Sequence, residues 1–267
     1  MTLEQLDAAS VEPIYLHYLR CVRNNLYLAK HDLYFKSDTS YTYVLEHVSP
    51  QQGMLYLKLI QEEFPQIYTD HNTYLSTLCS QNDLYGKPNK YYLNGLGQCS
   101  PTNARYIYHS LLILDYARKC NLSNINFVEI GGGYGGLCFF IHNLAEIFDI
   151  KTNSYTIFDL SDVCKLQEKY LGLLNVDVAT AQLNTDMDLL PDSFLISNYA
   201  FSEISSGFQR QYTEQVLNPF ISHGFLAWNG IDLYPFIDNK NIASVPEKPQ
   251  TSSKNLYVYI EPKNKQG

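Results

Sequence analysis

The residues with the clearest chemical use are Glu129, Gly131, Gly132, Gly133, Gly135 and Gly136, followed at the end of the next apolar run by Asp159. Closely spaced glycines let backbone N–H groups approach a ligand, because a Cβ would block both positive φ angles and close contact. An ionised Asp159 can accept hydrogen bonds from both hydroxyls of a ribose, or it can cap the helix that follows. Gly131-x-Gly133-x-x-Gly136 satisfies the dinucleotide fingerprint, so an NAD-type ligand is one reading. Two features favour a different nucleotide-like ligand. Glu129 stands two residues before the first glycine, where a dinucleotide fold usually carries an apolar residue, and the glycine run comes late in the chain.

A second group leaves the apolar run that ends near residue 199. Glu203 is the first candidate for a general base, with binding of substrate hydroxyls or a plain surface acid as its alternatives. Tyr199 and Tyr212 offer hydroxyls and ring faces to a substrate, or simply pack. His223, whose ordinary titration lies near neutral pH, is a further candidate base. Asn229 and Asp232 end the next run on the same expected edge. Asp232 and Glu203 are oxygen ligands that suit Mg²⁺, but no spacing demands a metal and none is expected. Arg105 can hold a carboxylate bidentately or pair with Glu129, and Thr102 and Asn103 precede it; His142 reads as structural.

These residues must be positioned by alternating elements. Strands are predicted over 125–130, 154–159, 175–179, 194–199, 224–229 and 255–260, with helices over 135–148, 161–174 and 207–221. Strand then helix, repeated, implies an α/β fold with a doubly wound, mostly parallel sheet. Ser161 is expected to cap the second of these helices, with Asp162 in its first turn. Residues 1–99 read as a tyrosine-rich helical cap. One helix starts near Ser10 and Pro13; a second opens at Ser49-Pro50 with Gly53, Leu57, Ile60 and Phe64 on one face. Asn82 to Asn89 marks a loop, Ser100-Pro101 a helix start with a hydroxyl cap, and 238–254 a loop. The domain division expected is 1–99 and 100–267.

Composition narrows the partners. The chain has 267 residues, 45% hydrophobic and 17% charged, which describes a folded protein with a sizeable core. A net charge of −8 without a Lys/Arg cluster argues against nucleic acid. The six cysteines form no C-x-x-C pair, so reduced buried thiols are expected and zinc is not. The first ten residues do not read as a signal peptide and no apolar run approaches a membrane span, so a cytoplasmic protein is expected.

Glu129-Ile130-Gly131-Gly132-Gly133-Tyr134-Gly135 resembles motif I of class I S-adenosylmethionine-dependent methyltransferases. Three further strings sharpen the likeness: Tyr155-Thr156-Ile157-Phe158-Asp159-Leu160, Ser197-Asn198-Tyr199-Ala200-Phe201-Ser202-Glu203-Ile204, and the lead-in from Asp83 to Pro88 and from Ser100 to Tyr106. With Gln209, Tyr212 and Gly224-x-x-x-x-Asn229, they are similar to the sugar O-methyltransferase family over roughly residues 83–230. The resemblance implies a Rossmann-like methyltransferase domain over 100–267 and S-adenosylmethionine as cofactor. The implied cofactor residues are Arg105, Glu129, Gly131, Gly133, Tyr134, Gly135, Asp159, Leu160 and Asn198. Within that reading Glu203, Tyr199 and His223 are the expected catalytic residues, and Tyr199, Tyr212, Asn229 and Asp232 are expected at the substrate. Arg105 would then meet the methionine carboxylate. The expected partner is a sugar or nucleotide sugar, with a homodimer as the oligomer admitted; a phenolic acceptor and a non-catalytic partner subunit are the rival readings. The short segment after Asn229 departs from the family and puts its last helix and hairpin in question.

Overall fold

The computed structural model describes residues 13–185 and 188–263, so the predicted start signal at Ser10 lies outside the described residues. Four helices lead: α1 (Pro13–Leu26), α2 (Thr39–Val44), α3 (Pro50–Glu63) and α4 (Pro65–Asn82). The Ser49 hydroxyl accepts from the Gln52 N–H while the Gln52 side chain accepts from the Ser49 N–H, a capping box that starts α3 as predicted. Pro65 ends α3 and opens α4, since a missing N–H costs nothing at a first helical position. A hairpin of β1 (Tyr91–Leu93) and β2 (Gly97–Cys99) follows, in a stretch that reads as loop. Helix α5 (Thr102–Lys119) begins without a side-chain cap. The predicted cap, Ser100, instead donates its hydroxyl to Glu46 Oε2 at 2.9 Å, a tertiary partner that displaces the local one.

The rest of the chain alternates: β3 (Asn124–Ile130), α6 (Gly136–Leu144), β4 (Lys151–Phe158), α7 (Ser161–Leu173), β5 (Ala179–Ala181) and β6 (Ser193–Asn198). Then come α8 (Ala200–Glu203), α9 (Ser206–Tyr212), α10 (Asn218–Phe220), β7 (Ile221–Trp228), β8 (Lys240–Pro246) and β9 (Leu256–Pro262). The seven-stranded sheet runs β5-β4-β3-β6-β7-β9-β8. Its first five strands are parallel, and β9 runs antiparallel to both β7 and β8. The winding direction reverses between β3 and β6, the switch point where an open α/β sheet leaves a crevice for ligands.

Several sequence expectations need correction. The predicted strand 175–179 is displaced to Ala179–Ala181, because Asn175 takes a left-handed φ of 57° in the preceding turn. The predicted loop 238–254 contains β8, so the terminal hairpin is present; what is missing is a helix between β7 and β8. Ser161 does not cap α7; the cap position is Leu160, and Asp162 in the first turn is bonded instead by Arg23 of α1 at 2.5 Å.

Both faces of the sheet are buried, as parallel strands require. Phe127, Ile157, Ile196 and Phe225 share one apolar cluster with α5, α6 and the N-terminal residues Leu19, Val22 and Leu57. Val128, Ile130, Leu195, Leu226 and Trp228 form the other, closed by Phe201, Tyr212 and Val216. The two sets alternate along each strand with period two. Aromatic rings tie the N-terminal helices to the glycine turn. Phe35, Tyr134 and Tyr170 surround the buried Lys36, whose Nζ lies 4.2 Å from the Tyr134 ring centre and donates to Tyr170 Oη at 2.8 Å. Burial pushes the Lys36 ammonium down to about 8.

Candidate functional site

β3 runs straight into the glycine turn. Gly131, Gly133 and Gly135 take φ of 75°, 59° and 91°, values that L side chains rarely adopt. A methyl group on Gly131 would lie 2.1 Å from Ala200 Cβ, so the glycine also lets the start of α8 close on the turn. Gly135 caps α6 in a left-handed conformation. Glu129 lies beneath this turn and faces inward. It is buried, and Oε2 accepts from the Tyr155 hydroxyl at 2.8 Å. Burial, with a smaller repulsion from Asp159, pushes its carboxyl up to about 7. Glu129 thus stands directly under the turn, its carboxylate beside Gly132. Tyr134 is fully buried, and its hydroxyl accepts from Asn82 Nδ2 at 3.1 Å.

Asp159 follows β4 and is half-buried at the mouth of the crevice. Oδ1 accepts from the Leu160 N–H at 2.8 Å and Oδ2 from Gln167 Nε2 at 2.9 Å. Gln167 Nε2 also donates to the Gly133 carbonyl at 2.8 Å, which locks acid and turn together. Burial pushes Asp159 up to about 7 against these hydrogen bonds. A carboxylate is an acceptor-only group, the chemistry a ribose diol calls for.

On the other side of the switch point, β6 ends beside β3. The Ser197 hydroxyl donates to the Ile130 carbonyl at 2.9 Å and accepts from the Phe201 N–H at 3.0 Å, clamping β3 to α8. Asn198 Nδ2 meets His109 Nδ1 at 3.0 Å, while Asn198 Oδ1 is buried with no partner. Arg105 lies four residues before His109 on α5, hence on the same face. Arg105 is 8% exposed, and its one hydrogen bond among the described residues goes to the Leu45 carbonyl at 3.2 Å. Thr102 Oγ1 and Glu46 Oε1, also buried, lack partners near by. The Leu45 side chain packs over Gly133, where an added methyl would meet it at 3.1 Å. A guanidinium with free donors and an amide oxygen with no donor thus stand together at one edge of the glycine turn. That pairing suits the carboxylate and ammonium of an amino-acid end, and Asp159 suits the ribose of a nucleoside end.

The outer edge carries the acids. Glu203 is exposed and Oε1 accepts from Asn229 Nδ2 at 2.5 Å, so these two predicted residues are brought together. Tyr199 takes a φ of 68°, rare for a non-glycine residue and a mark of a constrained position. Its hydroxyl donates to Glu247 Oε1, and Glu247 is buried, with Oε2 accepting from the Thr251 N–H at 2.8 Å and the Thr251 hydroxyl at 2.5 Å. Burial holds the Tyr199 phenol well above its usual range, so it stays protonated at neutral pH.

Three expected residues do not join the site. His223 lies near the amino end of β7, paired with Phe194, while the crevice is at the carboxyl ends; the strand begins at Ile221, earlier than expected. Tyr212 packs edge-on against Phe158, 6.0 Å between ring centres, inside the apolar cluster. Asp232 is almost fully exposed and pairs with Lys254 at 3.4 Å. Among the described residues no group of three or more His, Cys, Asp or Glu is placed to hold a metal ion. Sequence reasoning missed His109 and Glu247. The four-residue step from Arg105 was a usable signal for the first; Glu247 sits in a stretch that reads as loop and gave none.

No family model matches the chain, and no curated protein matches it. Among solved structures it is similar to the mitomycin 7-O-methyltransferase MmcR at 10% identity, over 94% of this chain and 69% of that one, with a TM-score of 0.44. It is similar to the pyocyanin biosynthetic protein PhzM at 9% identity, over 61% of this chain and 58% of that one, with a TM-score of 0.43. A third is an amino pentose methyltransferase from Micromonospora echinaspora involved in calicheamicin biosynthesis, at 13% identity over 52% and 57% with a TM-score of 0.36. The match to PhzM spans less than two thirds of that protein's length. Identities and TM-scores this low transfer neither an activity nor a ligand to this chain. Among the described residues no helix is long and apolar enough to cross a membrane.

Proposed function

We propose that this chain is an S-adenosylmethionine-dependent methyltransferase that acts on a hydroxyl of a sugar, free or nucleotide-linked. The observation that carries the reading is the pairing of Arg105, with unmet donors, and Asn198 Oδ1, with no donor, at the glycine turn. On the other side of that turn Asp159 is locked to Gly133 through Gln167. When bound, S-adenosylmethionine supplies an electrophilic methyl group. Arg105 would hold the carboxylate of its amino-acid end, the turn from Gly131 to Gly135 would admit its backbone-close portion, and Asp159 with Leu160 would hold the ribose.

The chain's own residues orient the acceptor and take its proton. Ser197 and Ser202 fix the edge: the Ser202 hydroxyl donates to the Tyr199 carbonyl at 2.7 Å and accepts from the Asn229 N–H at 2.9 Å. This knot holds Tyr199, Asn229 and Glu203 at the carboxyl ends of β6 and β7. Glu203, in solvent contact and bonded to Asn229, is the proposed general base, and Tyr199 and Asn229 the acceptor contacts. The buried Tyr199–Glu247 pair offers a second route, in which the phenol passes its own proton to Glu247 as it receives one. Alignment of reacting groups contributes ~7–11 kcal/mol in favourable cases, and a positioned base a further ~10²–10⁴-fold.

The sugar acceptor is supported by the resemblance of Ser197–Ile204 to the sugar O-methyltransferase family. A phenolic acceptor is the second reading, favoured by the aromatic rings gathered about His109, with Tyr56 at 5.9 Å and Tyr257 at 5.5 Å between ring centres. Methyl transfer assayed against nucleotide sugars, free sugars and phenols separates the two. Donor binding without turnover on any of them would point to the non-catalytic partner instead.

A further inference from the structure

One run of hydrogen bonds links β9, α5 and β6, and its direction is fixed at its far end. The Tyr257 hydroxyl donates its single proton to the Lys248 carbonyl at 2.5 Å. Its 3.2 Å contact with His109 Nε2 must then be the imidazole donating to the phenol oxygen. His109 is fully buried between Tyr56, Phe225 and Tyr257, and burial together with the Arg105 charge pushes it down to about 3. It is therefore neutral, with its one proton on Nε2 and a bare Nδ1. That nitrogen can only accept, so it selects the amide end of Asn198 at 3.0 Å. The Asn198 carbonyl oxygen is left turned away, buried and without a donor.

We propose that His109 is a positioning residue: through its Nδ1 it holds Asn198 with Oδ1 facing the switch point, where that oxygen receives the ammonium of the donor's amino-acid end while Arg105 receives the carboxylate. The inference rests on the methyl-donor reading above and assigns His109 and Asn198 a task within it. Arg105 and His109 share one face of α5, so one helix sets both halves of the recognition: a cationic donor for the anion and, through Asn198, a neutral acceptor for the cation. A neutral partner for the ammonium also leaves the Arg105 charge uncancelled for the carboxylate.

The test is calorimetric and independent of turnover. S-adenosylhomocysteine and 5′-methylthioadenosine share the nucleoside, and the second lacks the amino-acid end. Wild type should bind the first more tightly. His109→Phe keeps a ring but removes both nitrogens; it should weaken S-adenosylhomocysteine by ~10-fold or more, the scale of one hydrogen bond to a charged group, and leave 5′-methylthioadenosine unchanged. His109→Gln, whose amide can both donate and accept, should recover part of the loss. Asn198→Ala, which spares the helix core, should reproduce the selective loss even where His109→Phe folds poorly. Equal losses for both ligands, or no loss for S-adenosylhomocysteine, would overturn the assignment of His109. Failure of both ligands to bind wild type would instead overturn the donor reading on which it rests.

Discussion

Glu129→Gln isolates the consequence of burying a carboxyl beneath a glycine turn. The side chain is 1% exposed, and its hydrogen bond from the Tyr155 hydroxyl does not offset the lost hydration. Burial first, then the Asp159 charge, raises it from the usual 4.5 to about 7. The folded protein thus keeps this proton to higher pH than the unfolded chain does. The associated stability is fully present below the unfolded value and is lost as pH rises through about 7. The full displacement corresponds to ~3 kcal/mol, of which ~2 kcal/mol falls between pH 5 and pH 8. Glutamine keeps an oxygen for Tyr155 and does not titrate. Urea denaturation of both proteins at pH 5 and pH 8 reads the effect, and taking the difference removes titrations they share. The variant should gain ~2 kcal/mol on wild type from the lower pH to the higher. Parallel curves, or a gain by wild type, would refute the buried placement of this carboxyl.

Three further outcomes follow from the same geometry. Glu203→Gln should slow methyl transfer at least ~10²-fold if Glu203 takes the proton, whereas a comparable loss in Glu247→Gln and Tyr199→Phe with Glu203→Gln near wild type would move the role to the buried pair. Gly131→Ala combines a left-handed φ with a 2.1 Å approach to Ala200 Cβ. It should cost ~1–2 kcal/mol in backbone strain and ~1–3 kcal/mol in overpacking, visible as a lowered Tm; an unchanged Tm would contradict the close approach. Because Asp159 sits at about 7 and must be ionised to accept from a ribose diol, affinity for S-adenosylhomocysteine should climb as pH rises through that value and level off above it. The slope should vanish in Asp159→Asn when titrated by calorimetry at several pH values.

The half of the fold that builds the crevice was legible because its strands are apolar runs buried on both faces. β3, β4, β6 and β7 fall close to their predicted positions. β8 was not legible: Lys240, Asn241 and Ser244 interrupt Ile242, Ala243 and Val245 on a mostly exposed edge strand, so no apolar run announces it. The capping rules failed at Ser100 and Ser161 for a tertiary reason. Glu46 takes the hydroxyl of the first, and Asp162, the residue after the second, is held by Arg23. His223 was misplaced because α10 ends at Phe220 and the strand begins at once. At the site, the glycines, Asp159, Arg105 and Glu203 could be read from residue type and spacing. Glu129 and Tyr134 could be found but not oriented, since which side of the turn they face depends on Tyr155 and Asn82. The four-residue step from Arg105 put His109 on the right helix face, but its partners Tyr257 and Asn198 come from distant elements, and for Glu247 no local pattern existed.

The central claim is that the crevice between β3 and β6 receives a nucleoside with an amino-acid end. Titration of the wild-type protein with S-adenosylhomocysteine, and separately with NAD, measures it most directly. Saturable binding of S-adenosylhomocysteine at one site per chain, weakened by Arg105→Ala and Asp159→Asn, is the expected result. Binding of NAD with no heat from S-adenosylhomocysteine would contradict it.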